Sequence, residues 1–419
     1  MRVAAWVFLF LDLILSSGCI SSMGRKINYD IDTKYSVEDG EFLRTMGQLV
    51  GPGFLPGNKV TAYVNGDEIF PAMLESIKAA QKTIDFETYI YWAGEIGKNF
   101  ADALAGRATN GVQVHVLVDW LGANKMDSKY IKEMEVAGVQ FERYHPLHWY
   151  DLSRINHRTH RKILVVDGKV AFTGGVGIAD EWTGNAQDEN HWRDSHFKLE
   201  GPAVAQMQAA FMDNWLKTHE KVLHGDDYFP QLSRAGNEFA QAMQSSPREG
   251  SENLRLMYLL AIAAAQKNIK LSAAYFVPGS RALKELQEAR KRGVNIEIIV
   301  PGKKTDVQVV RHASHAYWYD MLKSGIRIYE YQPTMYHCKI MIVDDVWVSV
   351  GSGNFDNRSF ALNDEANLNV YSPEFAKIMS SQFEKDKQVA REMTMERWKQ
   401  RSIFKRVKER ISTLFWYQL

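Results

Sequence analysis

The chain has little cysteine, no excess of charge of either sign, and no long apolar run beyond its first residues. Its 419 residues include two cysteines, Cys19 and Cys338, too few for a disulfide framework or a thiolate metal site. The formal net charge is +1, which lacks the basic field typical of a dedicated nucleic-acid-binding protein. With 45% apolar and 24% charged residues, the composition indicates a globular chain long enough for two domain-sized units.

The first 22 residues have the features of a targeting segment. Arg2 precedes an apolar run from Val3 to Leu15, and the residues Ser16 to Cys19 follow it. Small residues before a cysteine resemble the lipobox of bacterial lipoproteins, which implies lipidation of Cys19 and an exported chain anchored in the bacterial cell envelope. An uncleaved hydrophobic anchor is the alternative. A full span is disfavoured, because a bilayer-crossing helix needs roughly 20 apolar residues.

An internal repeat sets the domain organisation. Residues 79–84 (AAQKTI) return as 264–269 (AAQKNI), and residues 111–118 (GVQVHVLV) return in the same order as 293–300 (GVNIEIIV). Such self-similarity indicates two related units. The predicted segments are a targeting segment 1–22, an N-terminal extension 23–58, a first repeat 59–224, a linker 225–252, a second repeat 253–390 and a basic amphipathic C-terminal segment 391–419.

Each half alternates helix and strand. The periodicity predicts a helix over 70–82, an extended run to 92, a helix over 99–110 and a strand over 112–119, and the second half repeats this pattern over 254–301. Continuous apolar strands such as 163–166 are typical of sheets covered by helices on both faces. We expect an α/β fold of two pseudo-twofold-related lobes, each a mixed sheet flanked by helices, with one shared active site.

One short motif occurs once in each half. The pattern HxKxxxxD covers His160, Lys162 and Asp167 in the first half, and His337, Lys339 and Asp344 in the second. Because residues two apart on a strand share a face, each histidine projects together with its lysine, and Cys338 points into the core. Two such pairs related by a pseudo-twofold axis place two imidazoles and two ammonium groups around one point.

This set of groups suits a phosphodiester. Two lysines offset the charge that develops on phosphate oxygens, one histidine attacks phosphorus to form a phosphohistidine, and the other protonates the leaving oxygen. An ordinary imidazole pKa of about 6.5 lets both protonation states exist near neutral pH. No metal or other cofactor is expected, because the pairs His157/His160 and His191/His196 form no ligand set.

The paired motifs resemble those of the phospholipase D superfamily over roughly residues 60–388. Residues 351–354 (GSGN) are similar to the GSxN turn of that family, which implies that Ser352 and Asn354 bind phosphate. In the first half, Gly177 stands where the asparagine is usual. One of the two expected amide donors to phosphate is therefore missing.

Two acids further along resemble the family's histidine-orienting carboxylates. The resemblance implies that Asp194 pairs with His337 and Glu365 with His160, each across the two halves. It assigns structural roles to the aspartates of the two motifs. It favours His160 as the nucleophile, although the symmetry of the motifs leaves either histidine eligible.

Three segments are similar to bacterial cardiolipin synthases: 174–182 (GGVGIADEW), 192–204 (WRDSHFKLEGPAV) and 351–368 (GSGNFDNRSFALNDEANL). This resemblance implies a phosphatidyltransferase that moves a phosphatidyl group from phosphatidylglycerol or phosphatidylethanolamine to phosphatidylglycerol. The alternatives are a phospholipase D that releases phosphatidic acid, a phosphodiesterase or nuclease of the same superfamily, and a non-enzymatic lipid-binding relative. Phospholipids and a membrane are the expected partners, and nucleic acid is not.

Two segments could contact the membrane. The first half carries about ten residues more than the second before its motif, and the apolar stretch 147–150 in that loop is a candidate wall or membrane-facing lip. Residues 403–417 combine helically spaced apolar positions with basic ones and end in aromatics. This pattern predicts a helix that docks on anionic lipid or packs on the protein itself.

Overall fold

The computed structural model describes Ile31 and residues 35–146, 156–219 and 221–401. Everything below concerns the compact unit from Thr33 to Leu419. The predicted targeting segment with Cys19, the loop segment 147–150 and the amphipathic stretch 403–417 lie outside the described residues. Within the part of the chain that is described, no helix is both long and apolar enough to cross a bilayer.

Strands and helices alternate through both halves of the described chain. The strands are β1 Leu55–Val64, β2 Thr83–Thr88, β3 Gln113–Asp119, β4 Gln140–Tyr144, β5 Ile163–Val166, β6 Val170–Gly174, β7 Ser195–Glu200, β8 Glu238–Ser245, β9 Asn268–Ala273, β10 Asn295–Pro301, β11 Arg327–Tyr331, β12 Lys339–Val343, β13 Trp347–Gly351, β14 Glu365–Tyr371 and β15 Ala390–Glu392. The helices are α1 Gly40–Leu49, α2 Asn65–Ala79, α3 Glu95–Thr109, α4 Ser128–Val136, α5 Val204–Thr218, α6 Asn253–Ala264, α7 Gly279–Lys291, α8 Gln308–Lys323, α9 Asn357–Ala361, α10 Pro373–Gln388 and α11 Met395–Lys399. Single 3-10 turns occur at Asp180–Trp182 and Pro247–Glu249.

The described strands form one continuous sheet in the order β15-β11-β10-β9-β12-β13-β14-β8-β1-β7-β6-β5-β2-β3-β4. From each outer region inwards, the two halves repeat the same arrangement. Three parallel strands, β4-β3-β2 or β11-β10-β9, are followed by four strands paired antiparallel, β5-β6-β7-β1 or β12-β13-β14-β8. β1 and β8 then pair with each other. The expected mixed α/β fold of two related halves is therefore confirmed, and the two sheets join edge to edge.

Two of the apolar clusters that cover the sheet include residues of the motif-bearing strands. One lies under α2 and α3 and includes Ile84, Phe86 and Phe100. The other draws residues from both halves, including Trp215 of α5 and Phe383 of α10. Continuous apolar strands such as β5 and β12 contribute to these clusters, as expected for strands with both faces covered. The shared cluster binds the two halves into one core.

The aspartates that end the two motifs close equivalent turns. Asp167 follows β5 and accepts hydrogen bonds from the backbone N–H groups of Gln81, Lys82 and Thr83. Asp344 follows β12 and accepts from the backbone of residues 266–268 in the same way. Both aspartates have φ of 53°, a left-handed conformation that Asp tolerates better than most residues. Each carboxylate anchors the start of the neighbouring parallel strand.

The predicted helices and strands of the first half are present, with boundaries shifted by a few residues. α2 begins earlier and ends at Ala79, and the extended run ends as a regular strand at Thr88. The interval 225–252, predicted as a linker, contains β8, which pairs with both β1 and β14. This interval therefore carries a strand that connects the halves.

Candidate active site

The two motifs lead into β5 and β12, which hold equivalent places in the two halves. His160 and Lys162 lie just before β5, and Lys339 is the first residue of β12. The Nζ of Lys162 donates a hydrogen bond of 2.7 Å to the backbone carbonyl of His160. Lys339 makes the same 2.7 Å contact with the carbonyl of His337. Each ammonium group is thus fixed beside the histidine of its own motif.

Each histidine is hydrogen-bonded to a carboxylate from the other half. The Nδ1 of His160 lies 3.0 Å from both carboxylate oxygens of Glu365. The Nδ1 of His337 lies 2.7 Å from Oδ2 of Asp194. These are the contacts that the resemblance implies. A carboxylate at Nδ1 favours the tautomer with its proton there and leaves Nε2 as the reacting nitrogen.

Backbone hydrogen bonds hold these pairs in register. The N–H of His160 donates to the carbonyl of Asp364, which immediately precedes Glu365, at 2.9 Å. The N–H of His337 donates to the carbonyl of Arg193, which precedes Asp194, at 2.8 Å. Arg193 also forms a buried two-point ion pair with Asp386 of α10, with distances of 3.0 and 2.8 Å. These main-chain hydrogen bonds therefore hold each acid beside the histidine of the other half.

The two motif histidines are nearly excluded from solvent. His160 is 7% exposed and His337 is 5% exposed. Burial, followed by the charges of Lys162 and Lys339, lowers the pKa of His160 well below its usual value. Burial and Lys339 also lower the pKa of His337. Because each histidine is also hydrogen-bonded to an acid from the other half, both halves contribute residues to the site.

Burial also affects the pKa values of the two lysines and the two acids at the site. Burial lowers the pKa of Lys162 and of Lys339, and it raises the pKa of Glu365. Burial alone would raise the pKa of Asp194, but the contacts with His337 and the charge of Lys339 outweigh it and hold that pKa below its usual value. An anion bound between the lysines would favour their charged forms. The site is therefore suited to an anionic substrate.

Glu365 is held by two serine hydroxyls. Ser352 donates to its Oε2 at 2.5 Å, and Ser359 donates to its Oε1 at 2.7 Å. Ser352 is fully buried, so in this structure its hydroxyl supports the orienting acid. Its expected role in phosphate binding remains a prediction.

Asp194 is held differently. Its Oδ1 accepts the N–H of Ser195 at 2.8 Å, and its Oδ2 accepts the indole N–H of Trp182 at 3.0 Å. Trp182 was not singled out from the sequence. Its position in the repeat could have revealed it, because Trp182 and Ser359 both lie five residues after the equivalent residues Gly177 and Asn354.

Asn354 and Gly177 show how the two halves differ. Asn354 is 4% exposed, and its Oδ1 has no hydrogen-bond partner among the described residues. Its predicted phosphate contact stays a prediction. At Gly177, an added Cβ would lie 2.6 Å from Cβ of Ile90 and 3.2 Å from Cζ3 of Trp182. The first half therefore has no room for the missing asparagine.

Aromatic side chains surround both imidazoles. Tyr89 contacts His160 edge to face with ring centroids 5.3 Å apart, and Tyr275 contacts His337 at 6.1 Å. Trp192 lies 5.7 Å from the ring of His337. The two tyrosines were missed because they follow β2 and β9 at positions that differ by one residue in the repeat. These rings limit the access of water to the histidines.

Cys338 belongs to the apolar cluster shared by both halves, and its thiol lies 3.8 Å from the carbonyl of Arg193. Cys338 is fully buried, as predicted, and burial raises the pKa of its thiol to about 12. Across residues 35–146, 156–219 and 221–401, no group of three or more His, Cys, Asp or Glu side chains could hold a metal ion.

Two His-Lys pairs, each histidine hydrogen-bonded to an acid from the opposite half, define a phospholipase D-type site. The family described as "Cardiolipin synthase, PLD-like domain" matches residues 73–215 and 258–387. A cardiolipin synthase of Clostridium perfringens (strain SM101) is 36% identical over 85% of this chain and 76% of its own length. The major cardiolipin synthase of Bacillus subtilis is 35% identical over 86% of this chain and 75% of its own length.

The chain belongs to this family, the cardiolipin synthase-type phosphatidyltransferases of the phospholipase D superfamily. A solved structure supports the fold. The phosphatidylserine synthase of Haemophilus influenzae Rd KW20 superposes with a TM-score of 0.67 over 90% of this chain and 100% of that chain, at 15% identity.

Proposed function

We propose that this enzyme forms cardiolipin by moving a phosphatidyl group from phosphatidylglycerol or phosphatidylethanolamine to a hydroxyl of a second phosphatidylglycerol. The observation that carries the proposal is the crossed pairing of buried His160 with Glu365 and of buried His337 with Asp194. The relatives' names supply the lipid class.

In the first step, the Nε2 of one histidine attacks phosphorus and the bond from phosphorus to the headgroup oxygen breaks. The second histidine gives its proton to that oxygen, and the headgroup leaves as a free alcohol. In the second step, this histidine takes the proton of the acceptor hydroxyl. The acceptor oxygen then attacks phosphorus, and the phosphorus–nitrogen bond breaks. The resemblance favours His160 as the nucleophile.

The remaining site residues have supporting roles in this proposal. Lys162 and Lys339 offset the charge on the phosphate oxygens, and the amide of Asn354 donates to one of them. Asp194 and Glu365 keep each imidazole in its reactive tautomer. The 7% and 5% exposure of the two histidines supports an alcohol over water as acceptor, because water reaches them poorly.

Location is part of the same proposal. The lipobox-like start with Cys19 implies that the enzyme is exported and anchored in the bacterial cell envelope, where its lipid substrates lie. Metabolic labelling with a radioactive fatty acid tests this, because a Cys19→Ala chain should lose the label. Label retained in that variant would refute lipidation at this residue.

The decisive test is mass spectrometry of lipids after purified enzyme is incubated with phosphatidylglycerol, with and without phosphatidylethanolamine. We expect cardiolipin, and we expect His160→Ala and His337→Ala each to lower its formation by roughly 10³-fold or more. His224→Ala, at an exposed histidine, is the matched control. Phosphatidic acid as the only product would instead show a hydrolase. Cardiolipin formed at the normal rate by both active-site variants would refute the shared site.

A further inference from the structure

Trp182 and Ser359 lie at equivalent positions of the repeat, and each donates a hydrogen bond to the acid that contacts a motif histidine. Its counterpart Ser359 donates to Glu365 at 2.7 Å, and Trp182 donates through its indole N–H to Asp194 at 3.0 Å. Two different side chains thus perform the same contact at equivalent places. A packing role alone would not require an N–H donor at this point.

Ile90 and the indole of Trp182 together leave no space for a side chain at Gly177. A Cβ added there would lie 3.2 Å from Cζ3 of Trp182 and closer still to Ile90. The first half thus combines a small residue at 177 with a large donor at 182, and the second half combines Asn354 with the smaller Ser359. The first half therefore lacks the amide and has the bulkier of the two donors to its acid.

Trp182 is firmly placed. It is 3% exposed and ends the 3-10 turn Asp180–Trp182. The carboxylate of Asp180 accepts the N–H of Ile96 at 3.0 Å, and the carbonyl of Glu181 accepts the N–H of Trp192 at 2.7 Å. The Trp182 ring also meets the ring of His337 edge to face at 5.3 Å. Its donor is therefore held against Asp194 without a flexible segment.

The hydrogen bond from Trp182 ends on the same oxygen of Asp194 that contacts His337. Oδ2 of Asp194 accepts both the indole N–H of Trp182 and the Nδ1 proton of His337. A second donor on that oxygen stabilises the carboxylate and weakens its pull on the His337 proton. The charged groups that act on His337 are Lys339, Asp194 and Asp306, and the charge of His337 in turn acts on His160.

We propose that Trp182 is a positioning residue of the Asp194–His337 pair, which fixes the carboxylate and sets the basicity of His337. The effect on rate rests on the proposed function, whereas the effect on the titration of His337 does not.

The test is Trp182→Phe, which keeps an aromatic ring and removes the donor. The pH midpoint of His337, followed by NMR of its ring in the intact protein, should move up by about one pH unit, because the less solvated carboxylate favours the imidazolium. In the cardiolipin assay, kcat should fall about 10-fold with little change in KM. The limb of the pH–rate profile that belongs to His337 should move in the same direction as the NMR midpoint.

Trp192→Phe is the matched control. Trp192 packs against the rings of Trp182 and His337. Among the described residues, no hydrogen bond joins Trp192 to Asp194. It should leave the His337 midpoint at the wild-type value. If Trp182→Phe fails to fold, β-(3-benzothienyl)alanine at position 182 keeps the ring shape and replaces N–H by sulfur.

An unchanged His337 midpoint in a folded Trp182 variant would overturn the proposal, and so would an equal shift in Trp192→Phe. A shifted midpoint in an enzyme that makes no cardiolipin would support the positioning role and count against the proposed function. The two failures are therefore distinguishable.

Discussion

Gly177 and Asn354 occupy equivalent turns, yet their surroundings allow different side chains. An asparagine at 177 would press its Cβ to 2.6 Å from Ile90. Filling a closely packed site with extra atoms typically costs 1–3 kcal/mol. The absence of this amide donor is thus tied to the packing around Trp182.

We expect Gly177→Asn to lower the free energy of unfolding by about 1–3 kcal/mol without raising activity. Denaturant unfolding and the cardiolipin assay measure the two effects. Gly106→Asn is the control, because a Cβ at Gly106 would meet nothing within 4 Å. A stable Gly177→Asn enzyme with higher kcat would show that the first half can accept the amide.

Lys162 and Lys339 place two positive charges beside the motif histidines. Lys162→Ala and Lys339→Ala should each lower kcat by roughly 10²–10³-fold, because each removes a positive charge that stabilises phosphate oxygens in a buried site. Lys125→Ala, at an exposed lysine near Trp92, should leave kcat within about 2-fold. Equal losses in all three variants would point to a general electrostatic effect instead.

At the scale of elements, the turn aspartates connect each motif to the neighbouring strand. Asp167 and Asp344 each accept backbone N–H groups from three successive residues, which are those that open β2 and β9. The resemblance gave these aspartates a structural role, and the contacts explain how they perform it. Their carboxylates lie at the far end of the strand from the histidines.

Asp167→Asn and Asp344→Asn should each lower the free energy of unfolding by about 1–3 kcal/mol, because an amide oxygen replaces a charged acceptor of several hydrogen bonds. Asparagine tolerates the same left-handed backbone, so the change isolates the hydrogen bonds. Asp226→Asn, at an exposed aspartate, is the control for denaturant unfolding. A loss of kcat without a loss of stability would contradict the structural role.

At the scale of the whole molecule, ionisable groups buried between sheet and helices link stability to pH. Glu87 of β2 is fully buried, and its Oε1 accepts hydrogen bonds from Thr159 and Asn214. Burial raises the pKa of Glu87 to about 7. Because this exceeds the unfolded value near 4.3, folding favours the protonated form. The corresponding stability is present below about pH 4 and is lost as pH rises through 7.

Glu87→Gln cannot ionise, so its stability should fall less than that of the wild type between pH 5 and pH 8. The difference between the two pH curves should reach roughly 3 kcal/mol, from about two and a half pKa units at 1.36 kcal/mol each. Denaturant unfolding at several pH values measures it. The exposed Glu95→Gln should follow the wild-type curve, and a Glu87→Gln curve parallel to the wild type would disprove the assignment.

Sequence and structure agree best where contacts are local. The helix and strand order of each half follows from apolar periodicity, and the buried face of Cys338 follows from strand alternation. The observed boundaries differ from the predicted ones where the end of a helix or strand depends on residues packed against it. The helix α2, for example, begins at Asn65 instead of residue 70. The sequence predicts a linker where β8 lies, because the pairing partners of this strand, β1 and β14, are distant in sequence.

The sequence by itself determined the repeat, the two His-Lys motifs and, through resemblance, the acids that orient the histidines. These features are carried by residue type and spacing, which the chain displays without folding. Only the tertiary structure decided that Trp182 shares Asp194 with His337, that Tyr89 and Tyr275 flank the imidazoles, and that Gly177 has no room for a side chain. Such contacts join residues far apart in sequence, as with His160 and Glu365, which are 205 positions apart. Their distances follow from the path of the chain and from packing, which local periodicity does not encode.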